Sequence, residues 1–133
     1  METSDLYELA AAHHHQVDSL PLKESVSFCV QLEDGCHIAL SSDLCGASEK
    51  TILAHELGHC EYGGFYNYHS PYDIRSRSEA RANRWAFRNI MPLSEVNKAI
   101  AEGDDNPYLL AERFGVTVEF VRKALAYYDM IVA

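Results

Sequence analysis

The chain contains no apolar run long enough to cross a membrane, which takes about 20 consecutive apolar residues. It also lacks a basic-then-apolar leader. Met1-Glu-Thr-Ser-Asp5 is polar and acidic, which predicts no secretory signal and a cytoplasmic protein. Positive charge is scarce: eleven Lys and Arg stand against twenty Asp and Glu, a formal net charge of −9. Phosphates need cationic partners, so the balance argues against DNA binding by the chain as a whole. Arg75, Arg77, Arg81, Arg84 and Arg88 lie close together. Their spacing fits a solvated helix face, or pairs with nearby acids, better than a phosphate site. Cysteine is sparse and unpatterned. Cys29, Cys36, Cys45 and Cys60 show no C-x-x-C spacing, and in a cytoplasmic protein the expectation is reduced, mostly buried thiols.

What is present suffices for a folded unit. A chain of 133 residues can bury about two-thirds of its unfolded surface in one domain. Hydrophobic content of 47%, with eight tyrosines, excludes a disordered composition.

The most informative stretch is His55-Glu56-Leu57-Gly58-His59, an H-E-x-x-H motif. Histidines four apart on a helix share one face about 6 Å apart, so two imidazoles can bind one zinc ion. Glu56 adjoins the first of them, where its carboxylate can hold the water activated by that metal. The flanks support a helix: Ala47 or Ser48 can open it, Glu49 suits its positive end, and Ile52, Leu53, Leu57 and Cys60 form an apolar stripe. Cys60 points about 100° away from His59 and is not expected to be a ligand.

Upstream, residues 4–16 have helical spacing of Leu6, Leu9, Ala10 and His13, continued by Val17. His13-His14-His15 fits the solvated end of that helix better than a metal site. Residues 25–32 alternate as a strand, Glu33-Asp34-Gly35 carries a hairpin signal, and residues 36–40 return. Residues 38–42 are expected to form a sheet edge able to pair with an extended peptide, and His37 an ordinary strand position.

Downstream, Glu61–Asp73 reads as an aromatic loop, with Gly63-Gly64 and Pro71 precluding regular helix. Tyr66, Tyr68, His69 and Tyr72 are alternative oxyanion or substrate-loop donors between which the sequence does not choose. A second helix over 74–90 has Ile74, Ala82, Trp85, Ala86 and Ile90 as its apolar face, with Glu79 on or near it. A carboxylate there needs a partner. Completing a His55, His59 and Glu79 zinc set is preferred to a surface pair with Arg75. Asn83, one turn on, is either the acceptor that orients a ligand imidazole or a structural amide. Residues 93–133 read as three short helices, capped by Ser94, Asn106-Pro107 and Thr117 and stopped by Gly103 and Gly115. The last two have a helix-turn-helix pattern, but the acidic balance of the tail suits packing or protein docking better than reading DNA.

Four segments resemble the ImmA/IrrE family of small metallopeptidases, which includes immunity-repressor peptidases of phages and integrative elements. They are Ala54-His-Glu-Leu-Gly-His59, Ser78-Glu-Ala-Arg-Ala-Asn-Arg-Trp-Ala86, Ile90-Met-Pro92 and Leu110-Ala-Glu-Arg-Phe-Gly-Val-Thr-Val-Glu-Phe-Val121. The resemblance spans about residues 20 to 128. It implies Zn2+ held by His55, His59 and Glu79 in a gluzincin-like site, Glu56 as general base, and cleavage of a helix-turn-helix repressor to relieve repression. Several relatives carry a second Glu two residues after the ligand Glu, where this chain has Arg81. The resulting expectation is an α+β, zincin-like single domain over 1–133. Residues 1–92 would be its core, with a short antiparallel sheet packed on the motif helix and the Glu-bearing helix. Residues 93–133 would form a helix-turn-helix-like tail packed on it. The alternative is a non-catalytic, zinc-stabilised regulator that binds a repressor or DNA.

Overall fold

Six helices and three strands follow one another in this computed structural model, which describes residues 1–62 and 70–132. Helix α1 (Thr3–Ala12) buries Leu6 and Ala10, and Asp5 accepts the Glu2 backbone N–H at 2.7 Å. It ends four residues earlier than its apolar spacing predicts. The chain then enters β1 (Gln16–Leu20), a strand that the sequence does not announce. Strands β2 (Ser27–Leu32) and β3 (Gly35–Ser41) form the expected hairpin about the Asp34-Gly35 turn.

The sheet order is β1-β3-β2, with β1 parallel and β2 antiparallel to β3. This corrects two expectations. The sheet is mixed rather than antiparallel, and β3, which holds most of residues 38–42, is the central strand with both of its sides paired. The edge strands are β1 and β2, and of these β2 has its first residue at the cleft described below. The physical reason is β1: its residues occupy the side of β3 that a two-stranded hairpin would have left open. Ile38 is fully buried between Val17 and Cys29, its register partners.

Helix α2 (Gly46–Tyr62) carries the motif and begins at Gly46, slightly ahead of the expected caps. Helix α3 (Tyr72–Ile90) lies against it. Ala82, Trp85, Ala86 and Ile90 are buried as their spacing predicts, whereas Ile74 is exposed. Gly58 sets how closely the two helices pass. A Cβ on Gly58 would stand 2.4 Å from the Ala82 carbonyl oxygen and 2.8 Å from its Cα. Backbone therefore meets backbone here, which accounts for a glycine in a helix interior where it is otherwise unfavourable by about 1 kcal/mol.

Cys36 of β3 and Cys60 of α2 are joined in a disulfide, with Cα atoms 5.7 Å apart. This overturns the expectation of reduced thiols for that pair. The two cysteines meet only because α2 folds back across the sheet, a contact to which their sequence spacing is blind. Cys29 and Cys45 are free.

Helices α4 (Leu93–Ala101), α5 (Pro107–Phe114) and α6 (Val118–Val132) complete the chain. Pro92, not Ser94, occupies the N-cap of α4. Asn106 Oδ1 accepts the Leu109 N–H at 3.0 Å, Gly115 ends α5 in the left-handed conformation, and Thr117 Oγ1 accepts the Phe120 N–H at 3.2 Å. Val96, Leu110, Val121 and Ala124 enter the same hydrophobic core as Leu53, Leu57 and Ile90. Lys50, buried on α2, donates to the Phe114 carbonyl at 2.5 Å, and the Thr117 N–H donates to Thr51 Oγ1 at 3.2 Å. The N-terminus of α6 is thereby fixed beside α2, one turn before His55.

Candidate metal centre

Residues of α2 and α3 converge on one point. His55 and His59, one turn apart, present rings with centroids 4.9 Å apart and planes at 85°. Glu79 reaches across from α3 and bridges them: Oε2 lies 2.8 Å from His55 Nε2, and Oε1 lies 3.0 Å from His59 Nε2. Three such donor atoms fall within 4.8 Å of one another. Tetrahedral zinc with bonds of about 2.0–2.1 Å spaces its donors by roughly 3.3 Å, close to these separations, so the donor set and its spacing fit such an ion.

The remaining ring nitrogens are also engaged. His55 Nδ1 lies 2.8 Å from Asn83 Oδ1. An amide oxygen only accepts, so Nδ1 carries a proton and donates to it, which leaves Nε2 as the ring atom that faces Glu79. His59 Nδ1 lies 3.3 Å from the hydroxyl of Ser78, a fully buried residue. These contacts hold both rings with Nε2 facing the same place.

Glu56, next to His55 on α2, is 6% exposed. Burial pushes its pKa above the ordinary value, against the pull of His55 and His59 and a hydrogen bond from Cys29. Cys29 projects from β2. Burial, and then the charges of Glu56 and Glu79, hold its thiol far above its usual range, so it is a neutral donor to Glu56. Burial lowers the pKa of His55, but Glu79 outweighs it and the net shift is upward. A carboxylate gathered with two imidazoles in a part-buried place can hand a proton on, and the cluster can hold a cation.

A cleft of about 350 Å³ opens onto this cluster. Its walls include Val26, just before β2, and Ser27, its first residue, with His55, Glu79 and Asn83, and Phe120 of α6. Tyr72, at the start of α3, is 77% exposed and is not among the described lining residues. Tyr66, Tyr68 and His69 lie outside the described residues.

The structure thus brings together His55, Glu56, His59, Glu79 and Asn83. Sequence reasoning missed Ser78 and Cys29. Ser78 carries a faint signal as a small polar residue next to Glu79. Cys29 carries one in the inward phase of its strand.

Comparison with curated proteins gives no match. The model of the peptidase family M78, described as the IrrE N-terminal-like domain, matches residues 12–126 and so spans every residue of the cluster. With most of its length matched, the chain belongs to this family of metallopeptidases.

Proposed function

We propose that this protein is a zinc-dependent endopeptidase that cleaves a helix-turn-helix repressor of a phage or mobile element. The observation that carries the reading is the bridge made by Glu79 between the Nε2 atoms of His55 and His59, with buried Glu56 beside it. His55, His59 and Glu79 are the ligands. Asn83 and Ser78 orient the two rings by accepting from Nδ1 of His55 and of His59 respectively. When bound, the zinc ion polarises the scissile carbonyl and lowers the pKa of the attacking water toward about 7.

Glu56 supplies the proton traffic. Its carboxylate accepts a proton from the attacking water and returns it to the leaving amine. Burial favours the protonated form, which suits a group that must hold that proton between the two steps. The Cys29 thiol, donating to the same carboxylate, fixes its orientation. An extended substrate pairs its backbone with the free edge of β2, whose first residue flanks the cleft. The net charge of −9 counts against DNA as the partner.

The test is co-expression with a candidate helix-turn-helix repressor. Wild type gives defined repressor fragments. Glu56→Gln retains zinc and gives none, and His59→Ala loses both zinc and cleavage. Fragmentation by Glu56→Gln at the wild-type rate would falsify the mechanism.

A further inference from the structure

A second cluster of metal-ligating side chains sits on the opposite side of α2. Glu61 follows His59 by two positions, so it projects roughly 200° around the helix from the first centre. It meets two histidines from the turn between α1 and β1. Glu61 Oε1 lies 2.5 Å from His13 Nδ1 and 3.3 Å from His15 Nε2. A donor atom from each of the three lies within 4.8 Å of the others.

The backbone bringing these histidines together is unusual. His14 is the one non-glycine residue with positive φ among the described residues, at 62°. The His14 N–H bonds to the Ala11 carbonyl and the His15 N–H to the Ala10 carbonyl, at 3.2 and 2.8 Å. That is a Schellman helix ending, with histidine where glycine is usual. The left-handed residue reverses the chain, so His13 and His15 face each other with ring centroids 6.0 Å apart. Gly35 closes in from the β2–β3 turn, where a Cβ would stand 2.7 Å from the His14 carbonyl oxygen. The Cys36–Cys60 disulfide anchors the turn of α2 that carries Glu61.

Two further features suit a cation. The C-terminal ends of α1 and α2, the negative ends of their dipoles, both lie here. His15 is largely buried, with its side chain 12% exposed, which restrains the ring that presents Nε2 to Glu61. His13 is half exposed and leaves the cluster open to solvent.

We infer that His13, His15 and Glu61 form a second site for a divalent transition-metal ion, separate from the centre on α3. Two imidazoles and one carboxylate are a donor set suited to zinc. The ion ties the α1–β1 turn to the end of α2. Neither the motif helix's other face nor the reaction proposed above is needed for it.

Zinc binding to the metal-free, disulfide-closed protein tests the site, with Zn2+ alone as the probe. Wild type is expected to bind two ions, and the His13→Ala/His15→Ala protein one. Glu61→Gln, which preserves shape, weakens the second ion at least tenfold, whereas His14→Gly, which keeps the left-handed turn, retains it. A His55→Ala/His59→Ala protein still binds one ion, weakened at least tenfold when Glu61→Gln is added, even if the proposed peptidase centre proves wrong. One ion in wild type, lost only with His55 and His59, overturns the inference. A second ion indifferent to Glu61→Gln also overturns it, because that is what exposed imidazoles alone would give.

Discussion

Gly58→Ala perturbs the centre without touching a single ligand. The added methyl would stand 2.4 Å from the Ala82 carbonyl oxygen and under 3 Å from two more backbone atoms of Ala82. Ordinary contact at this point needs about 3.4 Å, so α3 must retreat by roughly 1 Å or the helices must shear. Alanine is the better helix former by about 1 kcal/mol, which acts in the variant's favour. Overpacking against backbone costs about 3 kcal/mol, because no rotamer can relieve it. The net expectation is destabilisation of about 2 kcal/mol. Glu79 and Asn83 flank Ala82 on α3, so the same retreat draws both from the imidazoles, which they meet at 2.8–3.0 Å. Zinc affinity should therefore fall by an order of magnitude or more in protein that is still folded. Urea unfolding and competitive zinc titration, run on the same preparation, measure the two effects. A variant as stable as wild type with unchanged zinc affinity would refute the close approach of α2 and α3 as the element that positions Glu79.

Three other perturbations give checks on separate parts of the account. His14→Gly relieves the left-handed strain at φ 62° and should stabilise the protein by about 1 kcal/mol, read as a higher Tm; a lower Tm contradicts the described turn. Replacing Cys36 and Cys60 by serine frees a loop with a sequence separation of 24, which corresponds to a loss of about 3.5 kcal/mol in the chain-entropy description. Equal stability of the serine variant and oxidised wild type in denaturant would count against the bond. Glu56 gives a pH dependence: its folded pKa is raised above 4.5 by burial, so stability from its protonated form is full below about pH 4.5 and is lost as pH rises through the folded pKa. In metal-free protein, Glu56→Gln should thus melt higher than wild type at pH 8 but not at pH 4, and a difference independent of pH would refute the burial argument.

The legible parts of this protein were those written in local pattern. H-E-x-x-H placed two imidazoles on one helix face, and the period of the next helix put Glu79 near its apolar side. Asp34-Gly35 announced the hairpin, and Asn106-Pro107 and Gly115 marked the bounds of α5. What escaped depends on how elements meet. Gln16-Val-Asp-Ser-Leu20 has one inward apolar residue and no alternation, so β1 stays hidden until β3 supplies its parallel partner. Missing β1 also left β3 as an edge strand, where the structure makes it the centre. Ser78, Cys29 and the Cys36–Cys60 pair matter only because of the phase at which α3, β2 and β3 face α2. The three adjacent histidines looked like a helix end, and they are one. Only the left-handed turn at His14 sets two of them against Glu61.

The central claim is that His55, His59 and Glu79 hold one metal ion while Glu56 handles protons. Zinc content of Glu79→Ala and Glu56→Gln, each in the His13→Ala/His15→Ala background, tests it most directly. One zinc per chain is expected in the background protein and in Glu56→Gln, and none in Glu79→Ala. A full equivalent of zinc in Glu79→Ala, or its loss in Glu56→Gln, would contradict the assignment.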